Sequence, residues 1–213
     1  MKTGEAFVEN LFGLINEHRF PGFQPTPALE YGCGVGRLLL PLSKYTNQAV
    51  GLDVAPAMLE ICRNKIKEHA VENTTVGLSD DTLSTAGGGF DFVNCFLVLQ
   101  HIPPERGYRI IDRLLHLLVV DGIGSLKFTY AKGGRFFAHE QGKALYYRRD
   151  GNQIFDLCTE DQEPPEGTIS MFDYDLNQVI CAISRISSGH LIMLPTNDDE
   201  HLGVLLIFRK TRD

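Results

Sequence analysis

With 213 residues and a hydrophobic fraction of 43%, the chain carries enough apolar sequence for one substantial core, and a single domain is expected. Its 27 acids against 20 bases give a formal charge of −7, which offers no general attraction for a phosphate backbone and sets nucleic acid aside as a partner. Five cysteines, Cys33, Cys62, Cys95, Cys158 and Cys181, lack CxxC spacing and accompany no signal-peptide pattern or membrane-length apolar run; this argues against a disulfide framework, a structural metal site and a membrane association, and for a cytoplasmic location.

Apolar residues recur with helical spacing over 5–16, and Pro21, Pro25 and Pro27 then impose an extended approach to a first strand at 28–31. A helix is expected over 36–44, a strand over 49–53, and a helix from Pro56 that carries Met58, Leu59, Ile61, Cys62 and Ile66 at helical spacing. A weaker third strand falls at 74–77 and a strong fourth at 90–97. After Pro103-Pro104 a helix presents Ile110, Ile111, Leu114, Leu115 and Leu118; Asp121-Gly122 is expected to end it before a strand over 125–130. This alternation predicts an α/β fold, a parallel sheet with helices on both faces.

Residues 131–168 break the rhythm. They are rich in glycine, aromatic and charged residues without sustained periodicity, and read as an insertion with short strands near 145–148 and 153–157. A helix over 174–187 follows, then strands at 190–194 and 204–208 joined across Asn197-Asp198-Asp199-Glu200, an antiparallel hairpin that completes the sheet.

The chemistry concentrates after the first strand. Gly32, Gly34 and Gly36 alternate in Glu30-Tyr31-Gly32-Cys33-Gly34-Val35-Gly36-Arg37, so that backbone can approach a ligand where a Cβ would collide. Asp53 ends the second strand, where a carboxylate can accept hydrogen bonds from both hydroxyls of a ribose. A dinucleotide fingerprint would need a glycine at the position of Arg37, so that match is incomplete, and no Gly-Lys-Ser or Gly-Lys-Thr phosphate loop is present.

These residues, with Ser79-Asp80-Asp81 and the segment from Phe90-Asp91-Phe92-Val93-Asn94 to Gln100-His101-Ile102, resemble the class I S-adenosylmethionine-dependent methyltransferases over most of 28–130. The resemblance implies a Rossmann-like three-layer sandwich, with a seven-stranded, mostly parallel sheet ending in the antiparallel hairpin. It implies S-adenosyl-L-methionine as cofactor and S-adenosyl-L-homocysteine as product. Glu30 would organise the glycine turn and the amino-acid end of the cofactor. Gly32, Cys33, Gly34 and Gly36 would line the methionine and ribose region, Asp53 would bind ribose, and Asp80 or Asp81 would approach the adenine amino group. Val54 and Met58 would wall the adenine, and the Phe96 carbonyl would meet the methionine ammonium.

His101, just beyond the fourth strand, is the leading base or acceptor-positioning residue, against the reading of a histidine that merely shapes the turn before Pro103. Gln100 is a second acceptor-orienting candidate. Phe136, Phe137, His139, Tyr146, Tyr147 and Arg148 suit a lid over a small organic acceptor, and equally suit packing in a homodimer. Arg148-Arg149, with Lys143, forms a local basic patch, read either as an anion grip or as a solvated loop. Asn94-Cys95-Phe96-Leu97 stands where a base-amino methyltransferase carries Asn-Pro-Pro-Tyr or Asp-Pro-Pro-Tyr, which disfavours a flipped base as substrate. The expected activity is methyl transfer to oxygen or nitrogen of a small molecule, with a protein acceptor or a noncatalytic cofactor-binding module as alternatives.

Overall fold

The computed structural model describes residues 2–18, 20–133, 148–150, 153–155, 171–189, 191–198 and 200–213. Alternation of side chains gives its central strand two buried faces. In β1 (Ala28–Tyr31), Leu29 and Tyr31 join the apolar cluster on one side of the sheet, whereas Ala28 joins the cluster on the other. β2 (Ala49–Asp53), β3 (Thr74–Leu78), β4 (Phe90–Cys95) and β5 (Leu118–Lys132) extend the sheet as parallel strands. β6 (Arg148–Asp150) and β7 (Gln153–Phe155) form a separate antiparallel pair. β8 (Leu191–Asp198) and β9 (His201–Arg209) close the main sheet in antiparallel fashion, giving the order β3-β2-β1-β4-β5-β9-β8. The order reverses between β1 and β4, the place where an open α/β sheet leaves a crevice at the carboxyl ends of its strands.

Helices cover both faces. α1 (Lys2–Glu17) lays Val8, Leu11, Phe12 and Ile15, spaced by one and two turns, against Phe92, Ile123, Leu205 and Ile207. α2 (Leu39–Leu42) and α3 (Pro56–Glu68) lie on the same side, the latter through Leu59 and Cys62. On the opposite face α4 (Pro104–Leu117) buries Ile110, Ile111, Leu114 and Leu115, and α5 (Leu176–Ile186) buries Val179 and Ile183. Each such side chain contributes roughly 1.5–3 kcal/mol through the water it leaves. Among the described residues no helix is long and apolar enough to cross a membrane.

Several boundaries differ from expectation. α4 ends at Leu117, not at Asp121-Gly122, because Leu118 already has extended backbone (φ −76, ψ 132). Asp121 (φ +70) lies within β5, beside a register shift of the β4 pairing, and the chain there bonds to the C-terminal segment. Asp121 N donates to Lys210 O over 2.7 Å, and Lys210 N to Gly122 O over 2.9 Å. The helix expected over 36–44 shrinks to α2 plus a 3-10 turn at Ser43–Tyr45, since Gly34 (φ +51) and Gly36 (φ +82) hold the preceding chain out of helical geometry. β4 stops at Cys95, and α5 starts only at Leu176, with Asp175 accepting from Asn177 N at its N-cap. The terminal strands run further than expected, to Asp198 and from His201.

Ala131 and Lys132, expected within the insertion, still belong to β5. The lid or dimer role assigned to 131–168 falls largely outside the described residues, as do Phe136, Phe137, His139, Lys143, Tyr146, Tyr147 and Cys158 and the side chains of Arg148 and Arg149.

Candidate functional site

The glycine turn follows β1 and is tied to β2 by Gly32 N and Cys33 N, which donate to Leu52 O over 2.7 and 3.0 Å. Gly32 (φ +72) leaves its Cβ position to the Val98 side chain, so the turn and the chain beyond β4 pack face to face. Over Gly34 there is open space: a Cβ built there meets nothing within 4 Å. Gly36 differs, since a Cβ would stand 2.8 Å from Cys62 Sγ. Cys33 packs with Leu39, Leu59 and Cys62, and the hydrogen bond to Cys62, together with burial, holds its thiol protonated. Its side chain thus serves the core, which leaves only its backbone for a ligand.

Asp53, at the end of β2, is fixed from both sides. Gly34 N donates to Oδ2 over 2.8 Å and Ala55 N to Oδ1 over 2.9 Å. Each carboxylate oxygen keeps a lone pair for a further donor, and the side chain is only half-buried. Around it stand apolar side chains that water covers: Val54 is 56% exposed, Met58 43%, and Leu78, in register with Asp53 on β3, 51%. A flat heterocycle laid there would remove such surface from solvent.

Glu30 points to the α1 side of the sheet and is 2% exposed. Asn94, its in-register neighbour on β4, donates Nδ2 to Glu30 Oε2 over 2.7 Å. Burial pushes the Glu30 carboxyl up to about 8, against the lowering pull of that hydrogen bond and of Arg37. Asn94 Oδ1 is buried and takes no hydrogen bond. The Phe96 ring is engaged elsewhere: it packs on Phe7 of α1 with centroids 4.0 Å apart, and the Lys127 ammonium lies 4.9 Å from its centroid.

The two acids after β3 have separate duties. Asp80 closes its own turn, accepting from Thr82 N, Thr82 Oγ1 and Ser84 N at Oδ1 and from Ser84 Oγ at Oδ2, and these donors hold its carboxyl well below the usual range. Asp81 faces Arg106 on α4, whose Nε lies 2.8 Å from both carboxylate oxygens. With about half of each side chain in solvent, this pair orients the acid more than it stabilises the fold.

Gln100 and His101 share the 3-10 turn Leu99–His101, where His101 N donates to Val98 O over 2.9 Å and the His101 side chain is exposed. Tyr174 pins this turn from the far end of the chain, its hydroxyl 2.9 Å from Leu99 O and 2.8 Å from Ile102 O. That hydroxyl fills the place where Gly107 of α4 would otherwise carry a Cβ. Asn94, Arg106, Leu78 and Tyr174 are not among the expected site residues; only Asn94 leaves a signal, a polar residue between Val93 and Cys95 in the buried part of β4.

The residues present fit an adenosyl ligand. Open space over Gly34, an anchored carboxylate with spare lone pairs, an apolar rim and an unpaired buried acceptor at Asn94 match a ligand that brings hydroxyls, a flat ring and an ammonium.

Comparison with known proteins agrees. The profile of a methyltransferase domain matches residues 28–122. The magnesium-protoporphyrin O-methyltransferase of Synechocystis sp. is 30% identical over 104 residues, which are 49% of this chain and 44% of that protein. The tRNA N(3)-methylcytidine methyltransferase Mettl2 of Drosophila melanogaster is 26% identical over 155 residues, 65% of this chain and 46% of the relative. The chain thus spans less than half the length of these curated relatives. The crystal structure of the Synechocystis magnesium protoporphyrin IX methyltransferase with bound SAH superposes with a TM-score of 0.68 at 21% identity, covering 98% of this chain and 84% of that one, which establishes a shared fold. The domain match opens on β1 and takes in the glycine turn, Asp53 and β4 within a sheet of this order, so residues 28–122 are similar to a methyltransferase domain, and the solved methyltransferases that share this fold hold S-adenosylmethionine or S-adenosylhomocysteine.

Proposed function

We propose that this chain binds S-adenosylmethionine at the carboxyl ends of β1, β2 and β4 and transfers its methyl group to oxygen or nitrogen of a small organic acceptor. The observation that carries the reading is the anchored Asp53 beside the open space over Gly34. Asp53 would take the ribose hydroxyls, while Val54, Met58 and Leu78 would cover the adenine and Asp81, steadied by Arg106, would receive its amino group. Asp80 is the less suited of the two acids, since its own turn occupies it. Glu30, Asn94 and the Phe96 carbonyl would hold the amino-acid end. Gly32, Cys33, Gly34 and Gly36 would contribute backbone.

When bound, the cofactor supplies an electrophilic methyl group on a sulfonium sulfur. The protein's task is then alignment and exclusion of water. His101, exposed on the turn beyond β4, would position the acceptor or take its proton. The acidic balance of the chain supports a small molecule over a polynucleotide, and the Synechocystis relative, named for O-methylation of magnesium-protoporphyrin, supports the same class. A protein side chain is the second acceptor reading.

The test is methyl transfer to a panel of phenols, alcohols, amines and peptides, scored by S-adenosylhomocysteine formation. Turnover on a small molecule supports the proposal. Turnover on peptides alone favours the second reading, and cofactor binding without turnover across the panel favours a noncatalytic binding module.

A further inference from the structure

β4 stops pairing with β5 at Cys95–Leu126, and the chain at 172–174 takes the place beside β5 that β4 leaves. Thr129 holds it there: Thr129 Oγ1 donates to Phe172 O over 2.9 Å, and Tyr174 N to Thr129 O over 2.8 Å. On the other side Phe172 N donates to Gln100 O over 2.7 Å, so the segment bridges β5 and the turn that carries His101. Between these anchors sits Asp173.

Asp173 makes an ion pair of 2.7 Å with Lys132, the last residue of β5, through Oδ1. The two side chains are 2% and 1% exposed. The second oxygen, Oδ2, is buried and has no hydrogen bond. Gln100 Oε1 is likewise buried and without a hydrogen bond. An isolated buried carboxylate oxygen loses its hydration without return, so a native partner that donates a hydrogen bond is called for. Asp173 Oδ2 is an acceptor, so its partner must bring a donor. The Lys132 ammonium already neutralises Asp173 and would repel a second cation, while the unpaired oxygen would repel an anion. A neutral hydroxyl meets both conditions.

We propose that the carboxyl ends of β4 and β5 hold a subsite for a neutral hydroxyl group of the methyl acceptor, with the Asp173 carboxylate as its specificity-determining residue. The proposal rests on the methyltransferase reading above and deepens it: the acceptor is a hydroxylated small molecule whose hydroxyl hydrogen-bonds to Asp173 Oδ2. Lys132 is a positioning residue, which fixes the other oxygen.

The experiment uses the full chain saturated with S-adenosylhomocysteine and three single-ring probes that differ in charge, phenol, benzylammonium and benzoate, followed by ligand-observed NMR titration and by a crystal soaked with phenol. Phenol is expected to bind best, to lose about tenfold or more in affinity in Asp173→Ala, and to place its oxygen within hydrogen-bond distance of Asp173 Oδ2. If Asp173→Ala fails to fold with Lys132 left unpaired, the double variant Lys132→Met/Asp173→Ala removes both charges and must show the same loss. Equal or better binding of benzoate or benzylammonium, phenol affinity unchanged by the substitutions, or a phenol oxygen seated elsewhere would overturn the subsite. A wild-type chain that binds no S-adenosylhomocysteine would overturn the cofactor reading as well, so the two failures are told apart.

Discussion

Asn94 and Glu30 stand side by side on adjacent parallel strands, joined by a 2.7 Å hydrogen bond at the point where the strand order reverses. The bond ties the buried Glu30 carboxyl to β4 and leaves Asn94 Oδ1 buried without a hydrogen bond.

Stability should therefore depend on pH through Glu30. Its carboxyl rises from an ordinary 4.5 to about 8 in the folded chain, so the folded state keeps a proton that the unfolded state releases. This contribution is complete below 4.5 and is lost as pH rises through about 8. The loss accrues at about 1.4 kcal/mol per pH unit while the folded state holds the extra proton. Glu30→Gln should remove that slope. Urea unfolding of both proteins at about pH 5 and about pH 9 checks it. Parallel pH profiles would count against a buried, raised Glu30.

Tyr174 and Gly107 form a second pair, in which the tyrosine hydroxyl occupies space that only a glycine leaves. Tyr174→Phe should cost about 1–2 kcal/mol by leaving the carbonyls of Leu99 and Ile102 without that donor. Gly107→Ala should cost about 1–3 kcal/mol by overpacking. Thermal or chemical unfolding measures both. In Tyr174→Phe the turn carrying His101 should also exchange its amide protons faster.

His101→Ala should slow methyl transfer at saturating cofactor by about tenfold or more while S-adenosylhomocysteine affinity stays unchanged. An equal transfer rate would remove His101 from the chemistry. A parallel loss of cofactor affinity would assign it to binding.

Much of the fold is legible in the sequence because its signals are local. The apolar runs of β1, β2 and β4, the glycine turn and the acid at the end of β2 each declare themselves within a few residues. The α4–β5 boundary is not, since Leu118, Val119 and Val120 continue an apolar run; what ends the helix is extended pairing, including the bonds of 121–122 to Lys210. The site divides in the same way. Asp53 and the glycines could be found from spacing, whereas the partners that fix the site come from far along the chain: Asn94 is 64 residues from Glu30, Tyr174 is 75 from Leu99, and Asp173 is 41 from Lys132. No window of local sequence holds both members of such a pair.

The most direct measurement is calorimetric titration of S-adenosylmethionine and S-adenosylhomocysteine into the full chain and its Asp53→Ala variant. The account predicts saturable one-to-one binding of both ligands, weakened by about 1–3 kcal/mol when the carboxylate is removed. Absence of binding to the wild-type chain, or an affinity indifferent to Asp53, would contradict it.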